Sequence, residues 1–378
     1  MKFLFKVLFL VMLLAFVWNL FGNNLKDTAN KSAFEQFKTK ILTIIEHPSV
    51  AATIDTIQLG METVLEDIHN VIKGMQQEEQ PIEEVAKTKL EHPLTHTFSV
   101  HNIEIGNSKE YVERLVGIAQ RSTLNEYGVD WYTYHDHYQN FFMAAYDEQN
   151  KVAGLYTNQD LISSKQGIAR GSSKESVLAA LGEPMSGIRK GLVTYRTQND
   201  GEYDLFQMDH SYITIFYDKH ENNTVTAIQI ISSSLEEQKD SFYPEASTAL
   251  KEGFEWQLFD LTNAARVVHG LPFLTWDEQV QETARDHSSD MAKNHYFDHT
   301  NLEGKSPFDR MEEDHINFRA AGENLAAGQT SSIFAHEGLM NSLGHRENNL
   351  HSDFESLGVG VAFDSESKPY FTENFLTR

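Results

Sequence analysis

The sequence predicts an α+β protein, and three observations lead to this fold class. Apolar residues recur at helical spacing between Phe34 and Met75, which predicts a helical N-terminal region. Two similar segments in the middle of the chain each combine a short helical pattern with strand-like runs around a polar turn. The C-terminal third joins two long helical patterns to two short strand-like runs, which predicts helices enclosing a small sheet. A chain of 378 residues has room for two or three such domains.

Composition excludes several classes of protein. The chain contains no cysteine, so a disulfide framework, a thiolate metal site and a cysteine nucleophile are all excluded. Its formal net charge of -24 at pH 7 opposes binding to nucleic acid or to an anionic membrane surface. We therefore expect no nucleic acid among its partners.

The first 23 residues predict a membrane anchor. Every residue of Val7–Trp18 is apolar, and Lys2 and Lys6 precede or flank the run. Residues 3–22 are just long enough to cross a hydrocarbon core of about 30 Å. A cleaved secretory signal is the alternative, but no small-x-small cleavage site follows the run. We favour an uncleaved anchor over residues 1–23, with the protein spanning the cell membrane once and its bulk extracytoplasmic.

A helical spacer is predicted over residues 24–75 and a linker rich in Gln and Glu over residues 76–97. The apolar stripe of the spacer must be buried. It can pack on the following domain or form a coiled coil between two copies, so self-association through the spacer is one of two open readings.

An internal repeat organises the middle of the chain, predicted as one domain over residues 98–233. Ile103–Gly117 matches Ile168–Gly182, and each segment has a glycine turn, a serine before a short amphipathic helix and a glycine stop. Strand-like runs follow each helix, so the copies cover about 103–160 and 168–232.

An aromatic tract, Tyr127–Phe142, lies within the first copy and also contains His135, Asp136 and His137. Alternation of aromatic and polar residues is typical of a strand face rather than of a ligand cage. We therefore interpret the tract as a partner-binding aromatic surface and not as a metal or cofactor site.

A second linker is predicted over residues 234–247, and the last domain over residues 248–378. Two amphipathic helices open this domain, and the second ends at about residues 296–297. The runs GVGVAF and YFTENFLT near the C-terminus predict a β-hairpin across the intervening SESKP.

Three short motifs in the last domain carry candidate functional residues. YFDHT, AGEN and GHREN contain His299, Glu323 and His345 respectively. Two neutral imidazoles and one carboxylate suit Zn²⁺ or another divalent cation, with a position left open for water. Without metal, Glu323 can instead hold one of the histidines charged and fix the surrounding loops. These two readings stay open at this point.

The motifs resemble known families. The pattern G-x-S-K-E-x-V-x-x-x-L-G in both repeats resembles outer-membrane-assembly lipoproteins and β-lactamase-inhibitor-like domains, and in tandem it looks like the domain preceding certain bacterial CAP domains. The order H-S-x-D-M-A, Y-F-x-H-T, G-x-S-P-F-D-R, A-G-E-N-L-A-x-G, G-H-R-x-N and L-G-V-G-V is similar to bacterial CAP domains, the cysteine-rich secretory, antigen 5 and pathogenesis-related superfamily. This resemblance implies a three-layer α-β-α sandwich whose cleft is lined by His299, Glu323 and His345.

The chain departs from the family pattern at several positions. Ser342 stands where many eukaryotic relatives have a glutamate, and Glu337 lies one to two turns earlier. Glu373 stands where bacterial relatives commonly have glutamine, which makes it a further candidate for the metal set. Leu339 replaces a frequent tryptophan. These departures weaken the case for a complete family site.

Three functions are compatible with the sequence. The first is an exported, membrane-tethered binding protein of the bacterial cell envelope, whose partner is an envelope protein, a peptide or a lipid. The second is a metal-dependent hydrolase of envelope peptides or esters that uses the same three residues. The third is a structural assembly protein with an inert cleft. No nucleophile elbow, H-E-x-x-H helix or phosphate-binding glycine loop is present. We therefore favour binding over catalysis.

Overall fold

A computed structural model describes residues 85–190, 193–196 and 201–378. The predicted anchor (1–23), the predicted spacer (24–75) and the first part of the predicted linker lie outside these residues. Within these three ranges, no helix combines the length and the apolar character that a membrane crossing requires.

The first half of the described chain is rich in β-structure. Most of its strands form one antiparallel sheet in the order β2-β3-β4-β5-β11-β10-β9, while β1 pairs with β6 and β7 pairs with β8. The elements, in chain order, are β1 (Phe98–Val100), α1 (Lys109–Val116), β2 (Arg121–Leu124), β3 (Asp130–Asp136), β4 (Gln139–Tyr146), β5 (Val152–Thr157), β6 (Ile162–Ser164), α2 (Lys174–Leu181), β7 (Gly187–Lys190), β8 (Val193–Arg196), β9 (Tyr203–Met208), β10 (Ser211–Asp218) and β11 (Thr224–Ser232).

Helices α1 and α2 begin and end in the same way. The hydroxyl oxygens of Ser108 and Ser173 accept hydrogen bonds from backbone N–H groups of the first turn. Gly117 and Gly182 follow the last helical residues, each with a φ of 85° that a side chain would oppose. Caps of this kind are what the repeated serine and glycine in the sequence predict.

The aromatic tract is buried inside the protein. Trp131 and Phe141 point to one side of the sheet, where they pack in a cluster with Leu258 and Phe259 of the C-terminal domain. Tyr134 points to the other side, toward the cluster beneath α1 and α2. An exposed surface for an external partner was therefore the wrong interpretation. Both faces of this sheet are covered, and one of them is covered by the C-terminal domain.

The C-terminal domain places helices around a four-stranded sheet. Its strand order is β12-β14-β15-β13, with β12 parallel to β14 and the other pairs antiparallel, and β14 and β15 form the predicted hairpin. Helix α3 (Ser233–Gln238) precedes this domain and packs on the first sheet. The elements of the domain are α4 (Thr248–Val268), β12 (Thr275–Trp276), α5 (Glu278–Asn294), α6 (Pro307–Glu313), β13 (Ala320–Ala327), α7 (Ser332–Asn341), α8 (Leu343–Asn349), β14 (Ser356–Phe363) and β15 (Pro369–Thr377). Helix α3 lies within residues 233–238 and overlaps the segment predicted as a linker.

Helices α4 and α5 lie on opposite faces of this sheet. Gly358 and Gly360 of β14 face α5, and a Cβ on either glycine would lie 2.3 Å or less from a backbone nitrogen of that helix. Val359 and Val361 alternate with them and pack in the cluster that contains the apolar face of α4. The glycines in GVGVAF are therefore needed for close packing of a helix on the strand.

Helix α4 also forms the interface with the first sheet. A Cβ on Gly253 would lie 2.1 Å from the backbone oxygen of Leu124 in β2, so the helix and this strand touch through their backbones. The Arg121 guanidinium lies 2.6 Å from the buried Asp260 carboxylate. The two domains therefore share a core as well as specific polar contacts.

Candidate functional site

Glu323 is at the centre of the candidate site. It lies on β13 at an edge of the C-terminal sheet, and only 1% of its side chain is exposed. Its Oε1 is 2.9 Å from Nδ1 of His299, and its Oε2 is 2.5 Å from a terminal guanidinium nitrogen of Arg310. Both oxygens of the carboxylate therefore have a partner.

Arg310 connects Glu323 to the loop that carries His299. It lies on the short helix α6, whose start is fixed by a reciprocal capping box between Ser306 and Asp309. The other terminal nitrogen of Arg310 donates to the backbone oxygens of His299 (2.7 Å) and Lys305 (3.2 Å). One guanidinium thus sets the position of His299 relative to its carboxylate partner.

His299 is half exposed, with 51% of its side chain open to solvent. The hydrogen bond to Glu323 raises the pKa of its imidazole, and this effect exceeds the opposing effect of partial burial. Because Nδ1 is directed at Glu323, the remaining ring nitrogen, Nε2, is available to a ligand.

His345 reaches the same region from α8. Nδ2 of Asn324 donates to the backbone oxygen of His345 (3.1 Å), and Nδ2 of Asn348 donates to the backbone oxygen of Glu323 (3.1 Å). Burial lowers the pKa of His345, and the charge of nearby His299 lowers it further. The structure therefore places the backbone of His345 beside Asn324, the neighbour of Glu323 in β13, and its ring close enough to His299 for their charges to interact.

Helix α8 is in turn held by the N-terminal sheet domain. At the junction of α7 and α8, the Asn341 side chain donates to the backbone oxygen of Tyr217 (2.9 Å) and accepts from the backbone nitrogen of Lys219 (2.9 Å). Arg346, next to His345, forms a 2.8 Å ion pair with Asp218. The turn after β10 thus fixes the helix that carries one of the two histidines.

Glu373 does not join this group. In the register of β13 and β15 it pairs with Asn324, whereas Glu323 pairs with Asn374, so Glu373 and Glu323 point to opposite faces of the sheet. The Glu373 carboxylate is fully buried and accepts from Thr262 (2.8 Å) and Asn324 (3.1 Å). Burial raises its pKa to about 7. As a metal ligand beside Glu323, Glu373 was a wrong candidate.

At the position where many eukaryotic relatives have a second glutamate, this chain has Ser342. Ser342 is exposed between α7 and α8. Glu337 is buried against the N-terminal sheet, where it accepts a 2.6 Å hydrogen bond from the Tyr156 hydroxyl. Burial raises the pKa of Glu337 to about 7. Neither residue supplies a carboxylate to the pair of histidines.

The geometry does not fit a zinc site in which His299, Glu323 and His345 all coordinate the metal. Each oxygen of Glu323 is already hydrogen-bonded, one of them to a guanidinium that cannot be deprotonated in proteins. Across residues 85–190, 193–196 and 201–378, no three His, Asp or Glu side chains are grouped in a way that could hold a metal ion. The arrangement instead corresponds to the second reading of the sequence, in which Glu323 orients a histidine.

Arg310 is the residue of this site that sequence reasoning missed. The signal was present, because Arg310 ends the motif G-x-S-P-F-D-R between the motifs of His299 and Glu323. What the sequence did not indicate was that a buried guanidinium would satisfy one oxygen of Glu323.

Several exposed apolar side chains lie near the two histidines in sequence. Phe297 and Leu302 flank His299 in its loop, Phe308 lies in α6, and Leu343 lies two residues before His345 at the start of α8. Their exposed fractions are between 45% and 66%. Apolar side chains that face solvent therefore occur in the same segments as the two histidines.

Two family models match the chain. The model described as CAP-associated N-terminal matches residues 105–242, and the model of the cysteine-rich secretory protein family, CAP, matches residues 259–375. The chain carries a CAP-associated N-terminal domain and a CAP domain. The predicted CAP domain and its associated domain are thereby confirmed, whereas the tandem repeat and the anchor remain predictions.

Two similar proteins come from Bacillus subtilis (strain 168). The Bacillus subtilis (strain 168) membrane protein YlbC is 29% identical over 291 residues, which cover 72% of this chain and 82% of YlbC. YkwD of the same organism is 40% identical over 123 residues, covering 32% of this chain and 47% of YkwD.

Solved structures of similar fold come from two further organisms. An extracellular protein containing an SCP domain from Bacillus anthracis str. Ames has a TM-score of 0.64 and 27% identity, covering 78% of this chain and all of that one. A cysteine-rich secretory protein from Staphylococcus aureus has a TM-score of 0.56 and 15% identity, covering 72% and 91%. Together they support a mixed α/β fold with a sheet-rich N-terminal region.

Proposed function

We propose that this protein is an exported, membrane-tethered binding protein of the bacterial cell envelope, and that its CAP cleft holds a ligand without transforming it. The observation that supports the proposal is that both carboxylate oxygens of Glu323 already have hydrogen-bonding partners. A carboxylate whose two oxygens are bonded to His299 and to Arg310 is placed to orient the histidine rather than to act on a substrate directly.

Binding is supported by the groups that do face solvent. Nε2 of His299 is free to donate or accept a hydrogen bond, and the raised pKa of this imidazole favours its charged form. Exposed apolar side chains lie near both histidines in the chain, Phe297 two residues before His299 and Leu343 two residues before His345. A polar or anionic group next to an apolar segment is therefore the ligand chemistry that suits the cleft, as found in lipids and in acylated or apolar peptides.

Export and tethering rest on other observations. The apolar run with two preceding or flanking lysines predicts an anchor over residues 1–23, outside the described part of the chain. The relative YlbC is called a membrane protein, and the similar Bacillus anthracis protein is called extracellular. We propose that residues 24–75 separate the two domains from the membrane or pair two copies of the chain.

The cleft proposal can be tested by titrating the full chain with dihexanoyl phosphatidylglycerol below its micelle concentration. We expect saturable shifts in the NMR signals of the His299 and His345 rings. The double variant His299→Ala/His345→Ala should weaken binding about tenfold or more, because it removes hydrogen bonds to a charged group. Equal binding by the double variant would contradict a ligand site at the histidines.

Hydrolysis is the alternative outcome, and a parallel assay separates it from binding. The wild-type chain and the same double variant are incubated with an ester such as p-nitrophenyl acetate, with and without added Zn²⁺. Turnover that needs Zn²⁺ and disappears in the variant would replace the binding proposal with a metal-dependent hydrolase. Exhaustive chelation should leave the wild-type melting temperature unchanged, since Glu323 is held by Arg310 rather than by a metal ion.

A further inference from the structure

A concave surface lies between α5 and the segment of residues 301–314, and Arg310 in its lining is also the partner of Glu323. It encloses a volume of about 430 Å³, within the range usual for small-ligand sites. We call it the acidic groove, and it is lined by Thr283, Asp286, His287, Asp290, Asn294, Asn301, Leu302, Glu303, Lys305, Arg310, Glu313 and Asp314.

The lining is strongly acidic, with five carboxylates and two basic side chains. Both bases already have acidic partners: Lys305 lies 2.6 Å from Glu303 and 2.8 Å from Glu313, and Arg310 is bound to Glu323 of the cleft. Once these pairs are set aside, the described part of the chain places no ion-pairing cation beside the three aspartates of the groove, Asp286, Asp290 and Asp314. Such a surface attracts a positively charged ligand.

The three aspartates differ in what they already bind. Asp290 accepts a hydrogen bond from the Tyr296 hydroxyl (2.5 Å), and Asp314 accepts one from the Thr283 hydroxyl. For Asp286, the described residues offer no hydrogen-bond or ion-pair partner. Partial burial and the nearby carboxylates raise its pKa, which means that the charged form of Asp286 is destabilised in the groove without a ligand. A cation placed beside Asp286 would stabilise that charged form.

An unsatisfied buried atom in the same wall independently indicates a ligand. His287 is 1% exposed, and its Nε2 lies 3.0 Å from the backbone oxygen of Asp298. A carbonyl oxygen can only accept, so Nε2 carries the proton and Nδ1 of the neutral ring is a bare acceptor. This Nδ1 has no hydrogen-bond partner in the described part of the chain. A buried acceptor without a donor is costly, and a ligand N–H group would supply the donor.

Among the described residues, Arg310 has an unpaired donor, whereas His287 has an unpaired acceptor. It is 7% exposed, and within the described ranges its Nε–H finds no acceptor. The groove wall therefore lacks one donor at His287 and one acceptor at Arg310. A peptide or amino acid, which combines an ammonium group with carbonyl oxygens, can satisfy both.

The arrangement of the carboxylates favours an organic cation over a metal ion. Among the described residues, no group of three His, Asp or Glu side chains could hold a metal ion. Leu302, which lines the groove and is 66% exposed, offers an apolar contact to an alkyl chain. An ammonium group at the end of such a chain matches both features.

We propose that the acidic groove is a binding site for the lysine-type side chain of a peptide, with the ammonium group between Asp286 and His287 and the alkyl chain along Leu302. The site is separate from the cleft but shares Arg310 with it. This inference does not depend on the cleft ligand, and it gives the CAP domain a second, cation-selective contact with extracytoplasmic peptides.

The test is calorimetric titration of the full chain in detergent with acetyl-trilysine amide at low ionic strength. We expect saturable binding that Asp286→Asn weakens about tenfold, which corresponds to loss of one charge-assisted hydrogen bond. Glu252→Gln is the matched control, because it removes the same charge from an exposed position on α4 outside the groove. It should change the affinity less than twofold. Acetyl-trinorleucine amide, which keeps the chain and lacks the ammonium group, should not bind.

Three outcomes would overturn the proposal. Equal weakening by Asp286→Asn and Glu252→Gln would mean that only net charge matters. Equal binding of the norleucine peptide would mean that the ammonium group is not recognised. Displacement of the lysine peptide by stoichiometric Ca²⁺ would mean that the groove is a metal site. The variant His299→Ala/His345→Ala should leave lysine binding unchanged, so failure of the cleft proposal and failure of this one are distinguishable.

Discussion

Replacement of Arg310 by methionine should destabilise the protein strongly, because it leaves the Glu323 carboxylate buried without its cation. The Arg310 side chain is 8% exposed and that of Glu323 is 1% exposed, so solvent cannot replace the lost partner. The substitution also removes hydrogen bonds of 2.7 Å and 3.2 Å to the loop of His299. Breaking a buried ion pair from one side typically costs about 3–5 kcal/mol, and we expect a loss in this range.

The measurement is urea unfolding followed by intrinsic fluorescence, with Arg319→Met as the matched control. Arg319 undergoes the same chemical change at a surface ion pair, 3.8 Å from Glu355, where 69% of its side chain is exposed. A surface pair contributes about 0–1 kcal/mol, so the control should lose no more than that. A loss of less than about 1 kcal/mol in Arg310→Met would refute the argument that Glu323 is a buried, paired carboxylate.

A double-mutant cycle isolates the interaction itself. Glu323→Gln removes the charge that Arg310 neutralises, so the two substitutions combined should cost less than their sum, with a coupling free energy of about 2 kcal/mol. The same variant removes the hydrogen-bonding partner that raises the pKa of His299. NMR titration of Glu323→Gln should therefore show a lower pKa at this imidazole than in the wild type.

Three further predictions concern the domain interface and the buried acids. Gly253→Ala should destabilise the protein by several kcal/mol in thermal unfolding, since the new Cβ would lie 2.1 Å from a backbone oxygen of β2. The control is Gly338→Ala in helix α7, whose new Cβ would meet nothing within 4 Å. It should increase the unfolding free energy by about 0.5–1 kcal/mol in the same assay. Asp218→Asn should cost about 3 kcal/mol in urea unfolding, the lower end for a buried pair, because it removes the 2.8 Å partner of Arg346 and leaves only the more exposed Glu221 at 3.7 Å, and a loss confined to a few tenths would contradict a buried pair. The pKa of Glu373 rises from 4.5 to about 7 on folding, so the stability that it contributes is complete below pH 4.5 and is lost as the pH rises toward 7. Glu373→Gln should therefore reduce the fall in unfolding free energy between pH 5 and pH 8 by up to about 3 kcal/mol, and an unchanged pH profile would count against this assignment.

The parts of the fold that the sequence predicted well are those fixed by local chemistry. The serine before α1 and the glycine after it cap that helix through contacts within a few residues, so a short sequence pattern contains the necessary information. The same holds for the hairpin of β14 and β15, which depends on alternation and on a polar turn. The cluster of His299, Glu323 and His345 was predicted through a resemblance and not from physical reasoning alone.

The parts of the fold that the sequence did not predict depend on which face of a sheet packs against which helix. The tract around Trp131 has the alternation of a strand with one exposed face, and only the packing of α4 against it shows that this face is covered. Glu373 was a candidate cleft carboxylate because it stands where bacterial relatives commonly have glutamine. Its neighbour in the strand register, however, is Asn324 and not Glu323, and a shift of one residue reverses the face of the sheet.

The hydrogen bonds and the ion pair between the CAP-associated domain and Asn341 and Arg346 have an evolutionary consequence. A CAP domain that lost its N-terminal neighbour would lose the anchor points of helix α8 and would expose the face of α4 that now covers Trp131. Recombination that separated the two domains would then need simultaneous replacement of these polar contacts and of that apolar face. Wherever the two domains occur in one chain, we expect residues of the turn after β10 to change together with those at the start of α8.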